Sequence, residues 1–202
     1  MNTKTEILSQ TLALTLKYGI KSVSMDDIAR QIGISKKTIY QHFANKKALV
    51  QEMVQMRLAE DELEIGQIIA ASKDAIDEMV GIARHMLTFL RGMSPSLIYD
   101  MQKYYPAQWQ MVDRHHHDFL YGIVQKNIER GMTEGLYLDG LNADVLARLY
   151  GNMCQCITDE EYFPLRDYSK SELYADLVSY HMRGIVSPKG LKLFVKQQNR
   201  LI

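Results

Sequence analysis

Apolar residues recur along this chain at helical rather than strand spacing. Between Asp74 and Met93, Ile76, Met79, Val80, Ala83, Met86, Leu87 and Leu90 fall three and four apart, the pattern of a helix with one buried face. Ile7, Thr11, Leu14 and Tyr18 predict an earlier helix, which Gly19 stops. Ser24 reads as the next N-cap, with Asp27 as its capping-box partner, for a short helix of about Met25 to Gln31 that Gly33 ends. Ser35 caps a third helix, about Lys36 to Phe43. Asn45 caps a fourth, from Lys46 past Arg57 toward Ile69. Further helices are predicted over Gln108–Arg130, Ala143–Ile157 and Lys170–Val186. The stretch from Met93 to Pro106 reads as broken at Pro95 and Pro106, and Leu191 to Ile202 as a short basic tail. Nothing reads as a strand. The fold expected is all-α, with roughly nine or ten helices, divided into a three-helix head, residues 1–48, and a longer helical body, residues 49–202.

Charge changes this picture more than composition does. The 202 residues hold 24 basic and 24 acidic side chains, so the whole chain is neutral. Residues 1–50 nevertheless carry eight bases against three acids, a net +5 that the remainder balances with −5. A basic head on an acidic body predicts an anionic partner for the head. Cys154 and Cys156, two apart on a predicted helix, point to different sides and are expected to be free thiols of a reducing compartment. No apolar run approaches the roughly 18 residues of a membrane span, and no secretory leader is legible at the start. A cytoplasmic protein with no membrane partner is expected.

The positive charge is placed oddly. Lys36-Lys37 and Lys46-Lys47 each follow a helix-capping residue, where the partial positive charge of the helix N-terminus disfavours lysine. A bound phosphate reverses that sign, because the free N–H groups of a helix start and the adjacent ammonium groups then attract the same anion. The two short helices joined by "IGIS" have the spacing of a helix-turn-helix: Ala29 is small at the crossing, Gly33 suits a left-handed turn, and Ile28, Ile34 and Ile39 supply a core. Such units put the start of the second helix into the major groove, here Lys36, Lys37 and Thr38, then Tyr40, Gln41 and His42. Lys46 and Lys47 are placed to grip the flanking backbone. Surface lysine pairs are commonly no more than solubilising. Their coincidence with Ala29, Gly33, Ser35 and Ile39 at this spacing is what points to duplex DNA.

The segment "SVSMDDIARQIGISKKTIYQHFANKKALVQEMV" resembles the DNA-binding domain of the TetR/AcrR family of bacterial transcription regulators. The residues carrying the likeness are Ile28-Ala29, Gly33-Ile34-Ser35, Thr38-Ile39-Tyr40, His42-Phe43, Lys46 and Leu49, within about residues 4–55. The resemblance implies that Ser24, Ser35, Lys36, Lys37, Thr38, Tyr40, His42 and Lys46 face DNA, and that the body binds a small-molecule ligand and dimerises. Thr15 departs from the family's usual bulky aromatic. Lys37 and Lys47 replace residues that are often small and often acidic.

The body offers softer signals. Met79 to Tyr121 is rich in methionine and aromatic residues, which fill cores and line adaptable cavities alike. Phe89, Tyr105, Trp109 and His116 are the residues expected to line an effector site. "RHHHD" does not read as a metal site, because consecutive histidines splay about 100° apart on a helix; no metal or cofactor is expected. No phosphate loop, nucleophile elbow or His-Glu-x-x-His occurs, so an enzyme is not expected. The function expected is a homodimeric repressor that binds a palindromic operator and is released by a small molecule. The alternative is a ligand-independent regulator controlled by a protein partner or by its abundance.

Overall fold

The computed structural model describes residues 3–198, apart from the side chain of His116. Ten helices lie among these residues: α1 Thr3–Tyr18, α2 Met25–Ile32, α3 Lys36–His42, α4 Lys46–Ala71, α5 Ala75–Gly92, α6 Ser96–Tyr104, α7 Pro106–Thr133, α8 Ala143–Cys156, α9 Lys170–Ile185 and α10 Pro188–Gln198. The extended pairing found among them is a single antiparallel bridge, Tyr137 with Val186. No helix among the described residues is long and apolar enough to cross a membrane.

The chain groups into two compact units. The head unit is Met1–Glu62 with Gly92–Val112; the second is Leu63–Arg91 with Asp113–Ile202. A cut after residue 48 therefore falls inside α4, and α6 with the first turns of α7 groups with the head. Two segments read as irregular are helical. Pro95 is the N-cap of α6, and Pro106 and Pro188 are the first residues of α7 and α10. Proline lacks only an N–H that a first turn leaves unbonded, so at these positions it starts helices rather than breaking them.

The head core is built from α1 to α4. Ile7, Ile20, Ile28, Ile39, Phe43, Leu49 and Val50 are almost completely buried, and Ile34, Leu97, Tyr105 and Trp109 pack against the cluster. The buried face of α1 is Ile7, Leu8, Thr11 and Thr15, four-residue spacing that leaves Tyr18 exposed, not inward as expected. Thr15 donates to the Leu12 carbonyl at 3.0 Å, and its hydroxyl lies 3.6 Å from the Met53 sulfur; the flexible Met53 packs where a larger residue at position 15 would reach. Behind α1, the Ser94 N–H donates to the Leu16 carbonyl and the Lys21 N–H to the buried Asp100 carboxylate at 3.1 Å. These bonds hold the start of α6 and the turn after α1 together.

The second unit is centred on Ile76, Met79, Val80, Ala83, Val124, Ile128, Tyr150, Val178 and Met182. A polar network crosses this core. The Arg130 guanidinium donates to Glu78 at 2.6 Å and to Glu134 at 2.7 Å. The Asn127 amide donates to Glu78 and to the Ala75 carbonyl, and Tyr137 donates to Asn127 at 2.8 Å. It ties the first turn of α5 to the last turns of α7. Glycine is required beside it: a Cβ on Gly131 would overlap the Tyr137 ring, and one on Gly190 the Leu136 carbonyl.

His181 is buried on α9 with its ring 4.6 Å from that of Tyr150. Burial pushes its imidazole down to about 4. The unfolded chain then binds the extra proton first, so this group favours folding above pH 6.5 and loses that contribution as pH falls toward 4. Full expression of the shift would cost about 3 kcal/mol. His181→Phe is expected to flatten the melting-temperature profile between pH 6.5 and 4 relative to wild type; parallel profiles would contradict it. Cys154 and Cys156 are both free.

Candidate nucleic-acid interface

Each short helix of the head is fixed at its ends by the residues that the chain places there. Ser24 caps α2 in a capping box: its hydroxyl accepts the Asp27 N–H, and the Asp27 carboxylate accepts the Ser24 N–H at 2.9 Å and its hydroxyl at 2.6 Å. The bonds hold the Asp27 carboxyl below its ordinary range. Gly33 ends α2 at φ 76°, a left-handed conformation that costs other residues roughly 1–2 kcal/mol. The Ala29 carbonyl accepts both the Gly33 and the Ile34 N–H groups. Ser35 caps α3 by accepting the Thr38 N–H at 3.1 Å, and the two hydroxyls lie 2.8 Å apart. Asn45 caps α4 through the Ala48 N–H at 2.9 Å.

These caps set one outward face. Ile39 is buried, which turns Lys36, Lys37, Tyr40 and Gln41 outward as exposed side chains of α3, with His42 exposed at its end. Thr38 is half-buried and its hydroxyl is engaged with Ser35. Neither α3 nor α4 has an acid in its first turn. Lys36 finds its counter-ion elsewhere: its ammonium donates to Asp26, in the first turn of α2, at 2.8 Å, which raises its pKa. Lys37 and Lys47 are exposed, with no ion pair among the described residues.

Lys46 differs from its neighbour. Half-buried, it donates to the Ile20 carbonyl at 2.5 Å, and loss of hydration lowers its pKa, opposed by Asp100 and Asp27. Its ammonium is thus held at the start of α4, beside the turn that leads into Ser24. Lys46→Met is expected to lower head stability by about 1.5 kcal/mol, the worth of a hydrogen bond from a charged group. It is also expected to flatten the salt dependence of DNA binding by about one unit. An unchanged salt slope would leave Lys46 a strut alone.

The residues expected to line an effector site do not all fall in one unit. Tyr105 and Trp109 pack against the head core, and Tyr105, at the end of α6, has its phenol pushed up by burial. Phe89 is half-buried on α5, in the second unit. His116 lies outside the described side chains. Sequence reading missed the pairing of Lys36 with Asp26, ten residues away, and the burial of Lys46. A lysine that begins a helix three residues from a buried apolar residue carries no local mark of either.

Residues 7–53, which span α1, the caps of α2 and α3 and the start of α4, match the model of the bacterial regulatory proteins of the tetR family. The chain carries a TetR-type DNA-binding head over these residues. Its TetR-type head is followed by a body whose likeness is recognisable over most of the length. The HTH-type transcriptional regulator YvaF of Bacillus subtilis is 22% identical over 184 residues, covering 90% of this chain and 94% of that one. A transcriptional regulator from Cytophaga hutchinsonii superposes with a TM-score of 0.73 at 18% identity, covering 92% of this chain and all of the other. A regulator from Saccharomonospora viridis, crystallised with choline, gives 0.68 at 19%, covering 91% and 97%. The matched head is that of bacterial regulatory proteins, and the relative that aligns over most of the chain is itself a transcriptional regulator.

Proposed function

We propose that this regulator is a homodimeric repressor. Its two heads bind the half-sites of a palindromic operator, and a small molecule bound in the chain releases it. The observation that carries the DNA part of the reading is the outward row Lys36, Lys37, Tyr40 and Gln41 on a helix locked by Ser35 and by buried Ile39. Lys37, Lys46, Lys47 and the Ser24 and Ser35 caps supply phosphate contacts; Gln41 and Thr38 reach base edges; Tyr40 and His42 contact the sugar-phosphate edge.

Support for a dimer comes from α8 and α9. Their buried sides hold Ala147, Tyr150, Tyr174, Val178 and Met182, whereas Val145, Leu149 and Tyr180 are left exposed, Tyr180 to 72%. Apolar side chains in the open on two adjacent helices suit a second copy about a two-fold axis. Choline in the Saccharomonospora regulator supports a small-molecule effector, for which Tyr105 and Trp109, both of the head unit, are the residues offered. Operation in the cytoplasm belongs to the same reading.

Selection of bound duplexes from a random pool tests it. A palindrome with half-sites about one helical turn apart is expected, together with a dimeric mass in sedimentation. An asymmetric single half-site and a monomeric mass would contradict it.

A further inference from the structure

Gln108 lies in the first turn of α7 and is 2% exposed, yet its amide oxygen has no hydrogen-bond partner. Buried polar side chains are nearly always bonded, because an orphaned acceptor loses its hydration without return. A glutamine three residues beyond a helix cap has a usual employment: its side chain reaches back to the cap N–H. Here that N–H belongs to Tyr105, and it already donates to the Met101 carbonyl at 3.0 Å, at the end of α6. The close succession of α6 and α7 thus takes away the bond that would satisfy Gln108. Around the turn, Tyr105, Trp109, Met111 and Val112 are apolar bodies packed against the head core, and none of the four is charged. Two of the four carry a donor, the Tyr105 phenol and the Trp109 indole, yet neither bonds the Gln108 oxygen.

We infer that Gln108 is the hydrogen-bond acceptor of the effector site, and that the effector is a largely apolar molecule carrying a neutral donor, a hydroxyl or an amide N–H. The inference rests on the proposal that the regulator has a small-molecule effector, and it adds the chemistry. A hydrogen-bonding site discriminates most strongly against an analogue that lacks the matching group, since that analogue leaves the buried oxygen unpaired. An effector without a donor is disfavoured for the same reason.

The test uses the full chain and two probes of equal shape, p-cresol and p-xylene, which differ by a hydroxyl for a methyl. Binding is read by Trp109 fluorescence, one residue from Gln108, and by thermal shift; operator release is read separately. Wild type is expected to bind p-cresol at least tenfold more tightly than p-xylene. Gln108→Leu and Gln108→Met are expected to abolish or reverse that preference while melting at or above the wild-type temperature, because they remove an orphaned polar group. A wild type without the preference, or variants that keep it, would overturn the assignment. So would variants that melt well below wild type, which would show that Gln108 is satisfied within the fold. Operator release by some other ligand, with an unaltered response in Gln108→Leu, would remove Gln108 and leave the effector reading standing. Tenfold p-cresol selectivity lost in Gln108→Leu, without operator release, would keep the binding site and remove the effector reading.

Discussion

Arg130→Ala is expected to lower the stability of the chain by about 3 kcal/mol. The Glu78 carboxylate is almost completely buried and pairs with Arg130 at 2.6 Å. Removing the guanidinium leaves that charge in the core with the Asn127 amide alone, and breaking one side of a buried pair costs more than the pair itself contributes. The same guanidinium closes onto Glu134, whose other oxygen accepts the Ala75 N–H at the start of α5. Its loss therefore loosens the junction of α5 with α7 as well as exposing a charge. Since Arg130 is about a third exposed, the lower end of the usual range for buried pairs applies. For a chain of this size the melting temperature should fall by roughly 6–12 °C. The double variant Arg130→Ala with Glu78→Gln should recover part of the loss, because the orphaned charge is gone. A fall of less than about 1 kcal/mol in Arg130→Ala would contradict the account of this network.

Reversing the two exposed lysines, Lys37→Glu with Lys47→Glu, is expected to weaken DNA binding by about a hundredfold or more. It should leave the melting temperature unchanged or slightly raised, since neither side chain supports the fold. Each lysine stands at a helix start with no acid in the first turn, so glutamate there also improves the helix-dipole interaction. Stability and affinity should thus move apart, the mark of residues kept for a partner. The slope of log affinity against log salt should fall by about two units for the neutral pair Lys37→Ala and Lys47→Ala. Equal affinities for wild type and the reversed variant, measured by anisotropy on one duplex, would take phosphate contacts away from both.

The head was legible in the chain because its turns make demands that few residues meet. Ser24 with Asp27, Gly33 at positive φ, Ser35 and Asn45 each serve as read, and Ile28 and Ile39 are buried between them. The helices α6 and α10 were not, because Pro95, Pro106 and Pro188 look like breaks until their neighbours are seen to start helices. Tyr18 was misplaced because α1 buries a strict four-residue ladder of Ile7, Thr11 and Thr15, and two of those three are hydroxyl residues that hydropathy alone passes over. The network of Glu78, Asn127, Arg130 and Tyr137 joins residues about fifty positions apart, and no local pattern announces it. The charge on α3 was legible, but not its partial neutralisation by Asp26. The lysines that remain open for phosphate are therefore Lys37 and Lys47 more than Lys36.

The direct measurement is a titration of full-length protein into labelled double-stranded DNA at low ionic strength, repeated as salt is raised. Binding that weakens along a line of slope steeper than about −4, from several phosphates engaged at once, is the expected result. A correctly folded chain that leaves every duplex free at the lowest salt would contradict the claim that the starts of α3 and α4 are built to meet the phosphate backbone.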